Sequence, residues 1–141
     1  MPRPPALPAC RPRGFTLIEV CLALAVLGIL AAVAWPSQQA QLQRARRMDA
    51  ISALTRLQMA QEQYRLRHGR YSAELTGLAA SRSPEGLYQL AVADAATDSV
   101  TLIARARADG PQQSDRDCRE LTLHLNQGLA DAGPHGRCWN R

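Results

Sequence analysis

One carboxylate stands out among the residues that could do chemistry. Glu19 is the fifth residue of an otherwise apolar run that extends from Phe15 to Trp35 and meets Pro36. At about 1.5 Å per residue, a helix over that run is about 30 Å long, the thickness of a bilayer's hydrocarbon core. A carboxylate at membrane depth costs about 2.5 to 3.5 kcal/mol on insertion scales, so Glu19 needs a cation. The run contains none. Cleavage between Gly14 and Phe15 would create one, the free amino group of Phe15. Elsewhere the chemistry is sparse. His68, His124 and His135 sit in no recognisable motif with a nucleophile or a paired carboxylate, and there is no glycine-rich phosphate loop or metal-spaced acidic cluster. These observations point to assembly and binding, with no enzyme activity, cofactor or metal.

The elements that position these residues divide the chain into four stretches. Residues 1–14 are a proline-rich leader, and 15–36 are the apolar, membrane-spanning half of a helix. Residues 37–68 are its soluble half, without Gly or Pro and rich in Gln, Ala, Arg and Leu. Residues 69–141 form a head. In the soluble half, Ala50, Ala53, Leu54, Leu57, Ala60 and Tyr64 recur at three- and four-residue steps and predict one apolar stripe. Met48, Met59 and Leu66 fall on a second side, either scattered surface residues or a face for neighbouring helices. Gly69 follows His68 at a plausible C′ position. A connecting loop then runs to Gly86, with a short helical turn expected near Ala73 to Ala80. Alternation predicts strands over Leu87–Asp94, Val100–Ala108 and Glu120–Asn126, each with one buried and one wet face. The fold class is α+β, with the helical stripe covering a small antiparallel sheet.

The ordered stretch Gly14-Phe15-Thr16-Leu17-Ile18-Glu19-Val20, followed by apolar residues as far as Trp35, resembles the signal of type IV pilins and of type II secretion pseudopilins. The resemblance implies that a prepilin peptidase cuts after Gly14 and methylates the amine of Phe15. It implies that Glu19 docks an incoming subunit by pairing with a neighbour's terminal amine. Gly28 and Pro36 fall where pilins carry a glycine and a proline, and both weaken a helix there. An ordinary secretory signal is the competing reading, with Arg3, Arg11 and Arg13 as its basic region and Ala32-Val33-Ala34 as its cut. The length of the apolar run and the acid near its start count against it.

With that leader removed, the charge looks different. The formal net charge is +5, from 17 basic and 12 acidic residues. Arg3, Arg11 and Arg13 precede the cut and every acid follows it, so 14 basic residues face 12 acidic ones, a charge of +2. The leader's arginines keep it cytoplasmic by the positive-inside rule. Every basic residue is arginine. Of the four cysteines, Cys10 leaves with the leader and Cys21 lies in the membrane segment. Cys118 and Cys138 remain in an exported head, where oxidation is favoured. A bridge between them would close a loop of about 20 residues and stabilise by roughly 3 kcal/mol. His124 and His135 lie between the two, but the spacing matches no common zinc pattern.

The end of the chain adds to the resemblance. Asp117-Cys118, Leu121-Thr122-Leu123, Gly128 and Cys138-Trp139 are similar to the C-terminal part of minor pilins of the PilE kind and the related ComP kind. Pilins usually close a loop with such a cysteine pair. The family implies a single-pass inner-membrane protein of a Gram-negative bacterium with a periplasmic head, later polymerised into an extracellular fibre. Its partners would be other pilin subunits, the peptidase, the membrane and the assembly machinery. The fibre would serve adhesion, twitching motility or DNA uptake, with a pseudopilin of type II secretion as the alternative. Arg105 and Arg107, on one strand face with Thr101, are candidate DNA contacts. Nearby Asp109, Asp115, Asp117 and Glu120 are in a position to neutralise them.

Overall fold

The computed structural model describes residues 16–139, without the side chains of residues 34–37. Helix α1 spans Leu17–His68. The chain divides into two compact units, Met1–Gln38 and Gln39–Arg141. In the first, Thr16 starts the helix: its hydroxyl accepts from the Glu19 amide at 3.4 Å, and its carbonyl accepts from Glu19 and Val20. The helical backbone continues through Gly28, where a Cβ would meet nothing within 4 Å, and through Pro36, whose side chain is outside the described residues. Among the described residues no single helix is long and apolar enough to cross a membrane, while Leu17–Val33 taken with Gln38–His68 meets the requirement by length and composition.

In the second unit, the rest of α1 covers a four-stranded antiparallel sheet. Its strands are β1 (Tyr88–Ala93), β2 (Ser99–Ala106), β3 (Glu120–Asn126) and β4 (Leu129–Gly133), adjacent in chain order. The alternation read from the sequence sets the buried face. Tyr88 and Leu90 point inward beside Val100, Leu102 and Ala104, then Leu121, Leu123 and Leu125. They meet Ala50, Ala53, Leu54 and Leu57 of the helix. Ala60 and Tyr64, expected on the same stripe, are half-buried. The β2 strand ends at Ala106, two residues before its expected limit; the Arg107 amide still donates to the Leu87 carbonyl in register, and the chain then turns where Gly110 donates to the Arg107 carbonyl. The β4 strand was not anticipated. It returns through a two-residue turn in which Gln127 and Gly128 have φ of 51° and 84°, the left-handed pair that suits a tight hairpin.

The connecting loop has few elements of its own, and two buried polar side chains of α1 hold it. Gln61, fully buried, donates to the Ser72 carbonyl and accepts from the Ser72 amide, both at 2.9 Å. Asp49 accepts from the Ser83 hydroxyl, the Glu85 amide at 3.0 Å and the Leu87 amide at 3.4 Å. Ser83 in turn accepts from the Tyr88 amide, so the entry to β1 is fixed from the helix. Gly69 closes α1 in the left-handed region, its amide bonded to Arg65, and its φ of 71° explains the glycine. A single turn follows where Leu78 and Ala79 donate to Leu75.

Two predictions follow from this buried polar layer. Replacing Asp49 with Ala orphans three donors, and an unpaired buried donor costs about 1 to 3 kcal/mol; the denaturant midpoint of the protein should fall accordingly at unchanged helix content, measured by circular dichroism. Burial pushes the Tyr88 phenol above its ordinary range. The folded state then holds that proton more tightly than the unfolded chain, so its contribution is present below about pH 10 and is lost as pH rises through the higher folded value. Thermal unfolding scans should show stability declining above about pH 10, and Tyr88→Phe should flatten that decline.

Candidate functional site

The first unit presents an apolar surface on every side of the helix. Leu17, Ile18, Leu22, Leu24, Leu27, Ile29, Leu30 and Val33 are each at least 60 % exposed. A helix apolar all round must be covered by lipid or by other protein. Glu19 lies in its first turn, where unpaired amide groups leave positive partial charge that favours an anion. Thr16 and Glu19 also have the spacing of a capping box, a sequence signal for the helix start that points to Thr16 as a positioning residue. Gly14 and Phe15, the expected cleavage and methylation positions, lie outside the described residues.

In the second unit, the segment between β2 and β3 makes two 3-10 turns, Pro111–Ser114 and Arg116–Cys118, and is locked against α1. Arg47 forms a bidentate pair with Asp115, Nε to Oδ2 at 2.6 Å and Nη2 to Oδ1 at 2.8 Å. The side chains are 11 % and 5 % exposed. The hydrogen bond to Asp115 raises the Arg47 pKa still further, although desolvation opposes it. Gln112, fully buried, donates to the Tyr88 hydroxyl at 2.9 Å and to Asp115 at 3.2 Å. Arg47 also donates to the Arg137 carbonyl at 2.9 Å, tying in the C-terminal turn Gly136–Trp139. Cys118 and Cys138 are joined as a disulfide across this junction, and the Trp139 indole donates to the Gly133 carbonyl at 2.8 Å. Sequence periodicity missed Arg47 and Asp115, because it scores apolar spacing and both are charged.

The candidate DNA contacts are each paired with a carboxylate. Arg105 is on the outward side of β2, opposite Glu120 of β3, and pairs with it. Arg107 lies past the end of β2 and bonds Asp109 with both Nε and Nη2. That bonding holds the exposed Asp109 carboxyl below the usual carboxylate range. Thr101 is further along the outward face, where its hydroxyl meets His124 Nδ1 at 3.1 Å. Among the described residues, Cys21 is a free, exposed cysteine.

Comparison with known proteins agrees with this geometry. The family described as "Type IV minor pilin ComP, DNA uptake sequence receptor" matches residues 36–122, and the "Prokaryotic N-terminal methylation motif" matches residues 10–35. The chain is 41 % identical over 78 residues to the type IV major pilin protein PilE of Neisseria gonorrhoeae, covering 54 % of this chain and 47 % of that one. It is 31 % identical over 98 residues to PilE1 of the same organism, 70 % of this chain and 54 % of the relative. It is also 36 % identical over 70 residues to the type II secretion system core protein G of Pectobacterium carotovorum subsp. carotovorum, 50 % of this chain and 45 % of that protein. The chain spans about half the length of the curated relatives it matches. A helix capped at Thr16 with Glu19 in its first turn, a four-stranded head closed by one disulfide and a family match over most of the chain lead to one conclusion: this protein belongs to the type IV minor pilins of the ComP and PilE kind.

Proposed function

We propose that the chain is a structural subunit of a type IV pilus, cut between Gly14 and Phe15, methylated on Phe15 and polymerised through its apolar helix. The observation that carries this reading is the exposed all-round apolar surface of α1 with one carboxylate in the first turn. A soluble protein cannot leave such a surface in water, whereas lipid before assembly and neighbouring helices after it would both cover it. Before assembly the helix spans the inner membrane and the head faces the periplasm. In the fibre, Glu19 pairs with the Phe15 amine of a neighbour, and Gly28 and Pro36 are the positions where the helix loosens. The match to a secretion core protein supports a second reading, a pseudopilin.

Within the pilus reading we assign the head a role in DNA uptake, supported by the description of the matching family. Arg105 and Arg107 serve as phosphate contacts. Their pairing with Glu120 and Asp109 does not prevent this, because exposed ion pairs are worth about 0 to 1 kcal/mol and a phosphate can displace the carboxylate.

Glu19→Ala should leave cleavage intact, read as the mature mass, and reduce incorporation into sheared fibres by about tenfold or more, the effect of about 1.4 kcal/mol lost per junction. Unchanged incorporation would refute the role given to Glu19. Loss of exoprotein secretion on deletion of the gene, with fibres and DNA uptake intact, would favour the pseudopilin. For DNA, the full chain in detergent should retard duplex DNA at low salt, and Arg105→Ala with Arg107→Ala should lower the salt slope by about 2. No retardation at micromolar protein would remove the DNA role and leave the pilus reading standing.

A further inference from the structure

The junction closed by the disulfide holds a third side chain able to ligate a metal. His135 lies with Nδ1 3.4 Å and Nε2 3.7 Å from the Cys138 sulfur. One donor atom from each of Cys118, His135 and Cys138 falls within 4.8 Å of the other two. His135 and Cys138 have the two-residue spacing by which zinc ligands commonly share a turn, and here a turn is present: the Cys138 amide donates to the His135 carbonyl at 3.0 Å. His124, the other histidine between the cysteines, is engaged elsewhere with Thr101. With Zn–S near 2.3 Å and Zn–N near 2.0 Å, a sulfur and a nitrogen on tetrahedral zinc stand about 3.5 Å apart and two sulfurs about 3.8 Å. The His135–Cys138 spacing is therefore already in place, and rotation of the two cysteine side chains after reduction supplies the spacings that involve Cys118. Cys118 and His135 line a cavity of about 520 Å³ that also carries Asp117 and the arginines Arg44, Arg47 and Arg137; it gives an ion a path from solvent, and water supplies the fourth ligand.

We propose that in the dithiol form Cys118, Cys138 and His135 bind zinc(II), so that metal and disulfide are alternative staples of one loop. The sequence spacing argues against a zinc site only if Cys118 is required to sit in a local pair; the fold brings it in from the other side of the β3–β4 hairpin. The exchange is chemically balanced with a disulfide oxidant. Two zinc-bound thiolates, one oxidant disulfide and two protons give the Cys118–Cys138 bond, two oxidant thiols and free Zn²⁺. The thiolates lose two electrons, and the oxidant's sulfur–sulfur bond accepts them. A head newly delivered to an oxidising compartment would thus have its last loop held before its disulfide forms.

The test uses the full chain in detergent micelles with Cys10→Ser and Cys21→Ser, reduced by a phosphine without oxygen and titrated with zinc(II) against a chromogenic chelator. One zinc per chain is expected in the reduced protein and none in the oxidised one, and His135→Ala should weaken binding by at least about tenfold. Addition of oxidised glutathione should release the metal as the bridge forms, read as a loss of two thiols per chain. The thermal midpoint of the reduced chain should rise with zinc. The proposal is overturned if the reduced chain takes up no more zinc than the oxidised one or than a Cys118→Ser, Cys138→Ser variant. It is equally overturned if His135→Ala keeps full affinity, or if the reduced chain is unfolded both with and without zinc. None of these outcomes depends on whether the chain forms a fibre.

Discussion

The bidentate pair between Arg47 and Asp115 is where helix, 3-10 turns and C-terminal loop meet. A buried charge pair is costly to desolvate, and it persists because each remaining polar atom is engaged: Gln112 donates to the same carboxylate, and the arginine's third nitrogen reaches the Arg137 carbonyl. The segment from Pro111 to Cys118 has no ladder bonds and no run of apolar side chains. Its position is set by this network and the disulfide instead. The sheet supplies area for burial, while these few polar bonds decide how the segment beyond β2 is attached.

The same division of labour recurs along α1. Ala50, Ala53, Leu54 and Leu57 give the contact its area, and Gln61 and Asp49, well separated along the helix, fix the loop that crosses it at Ser72 and at Ser83 to Leu87. The contact is narrow. A small head with a narrow contact gains much from groups that bond backbone amides, because a loop without its own secondary structure must pair those amides somewhere. The helix thus serves twice, as an apolar wall for the sheet and as a source of acceptors for the loop.

This explains what the sequence revealed and what it hid. Alternation at Leu121, Leu123 and Leu125 marks β3 from end to end, since a strand with one wet face must repeat every second residue. The apolar stripe of α1 was legible for the same reason. The β4 strand was hidden because Leu129-Ala-Asp-Ala-Gly is short, largely exposed and poor in β-branched residues; the signal that marks it is the glycine turn before it. Asp49, Gln61 and Arg47 were hidden because a polar residue beside an apolar stripe looks the same whether it faces water or a loop amide. Glu19 stood out by chemistry, since an acid among apolar residues requires an explanation, while the motif around it was legible through its resemblance to pilin signals. Arg105 and Arg107 pair with Glu120 and Asp109, two of the acids that the sequence places near them, because a residue opposite on the next strand and one two positions on in a turn both fall within reach.

The disulfide also governs how the head would bear a pull. Cys118 precedes β3 and Cys138 follows β4, so the bridge encloses the whole β3–β4 hairpin. Because the strands lie in chain order, an unbridged sheet would give way to tension at its C-terminal end by peeling β4 from β3, one hydrogen bond at a time. With the bridge in place, tension entering at Cys138 passes covalently to Cys118 and bypasses the hairpin. It then meets Arg47, Asp115 and the helix. The weakest edge of the sheet is thereby removed from the path of the load.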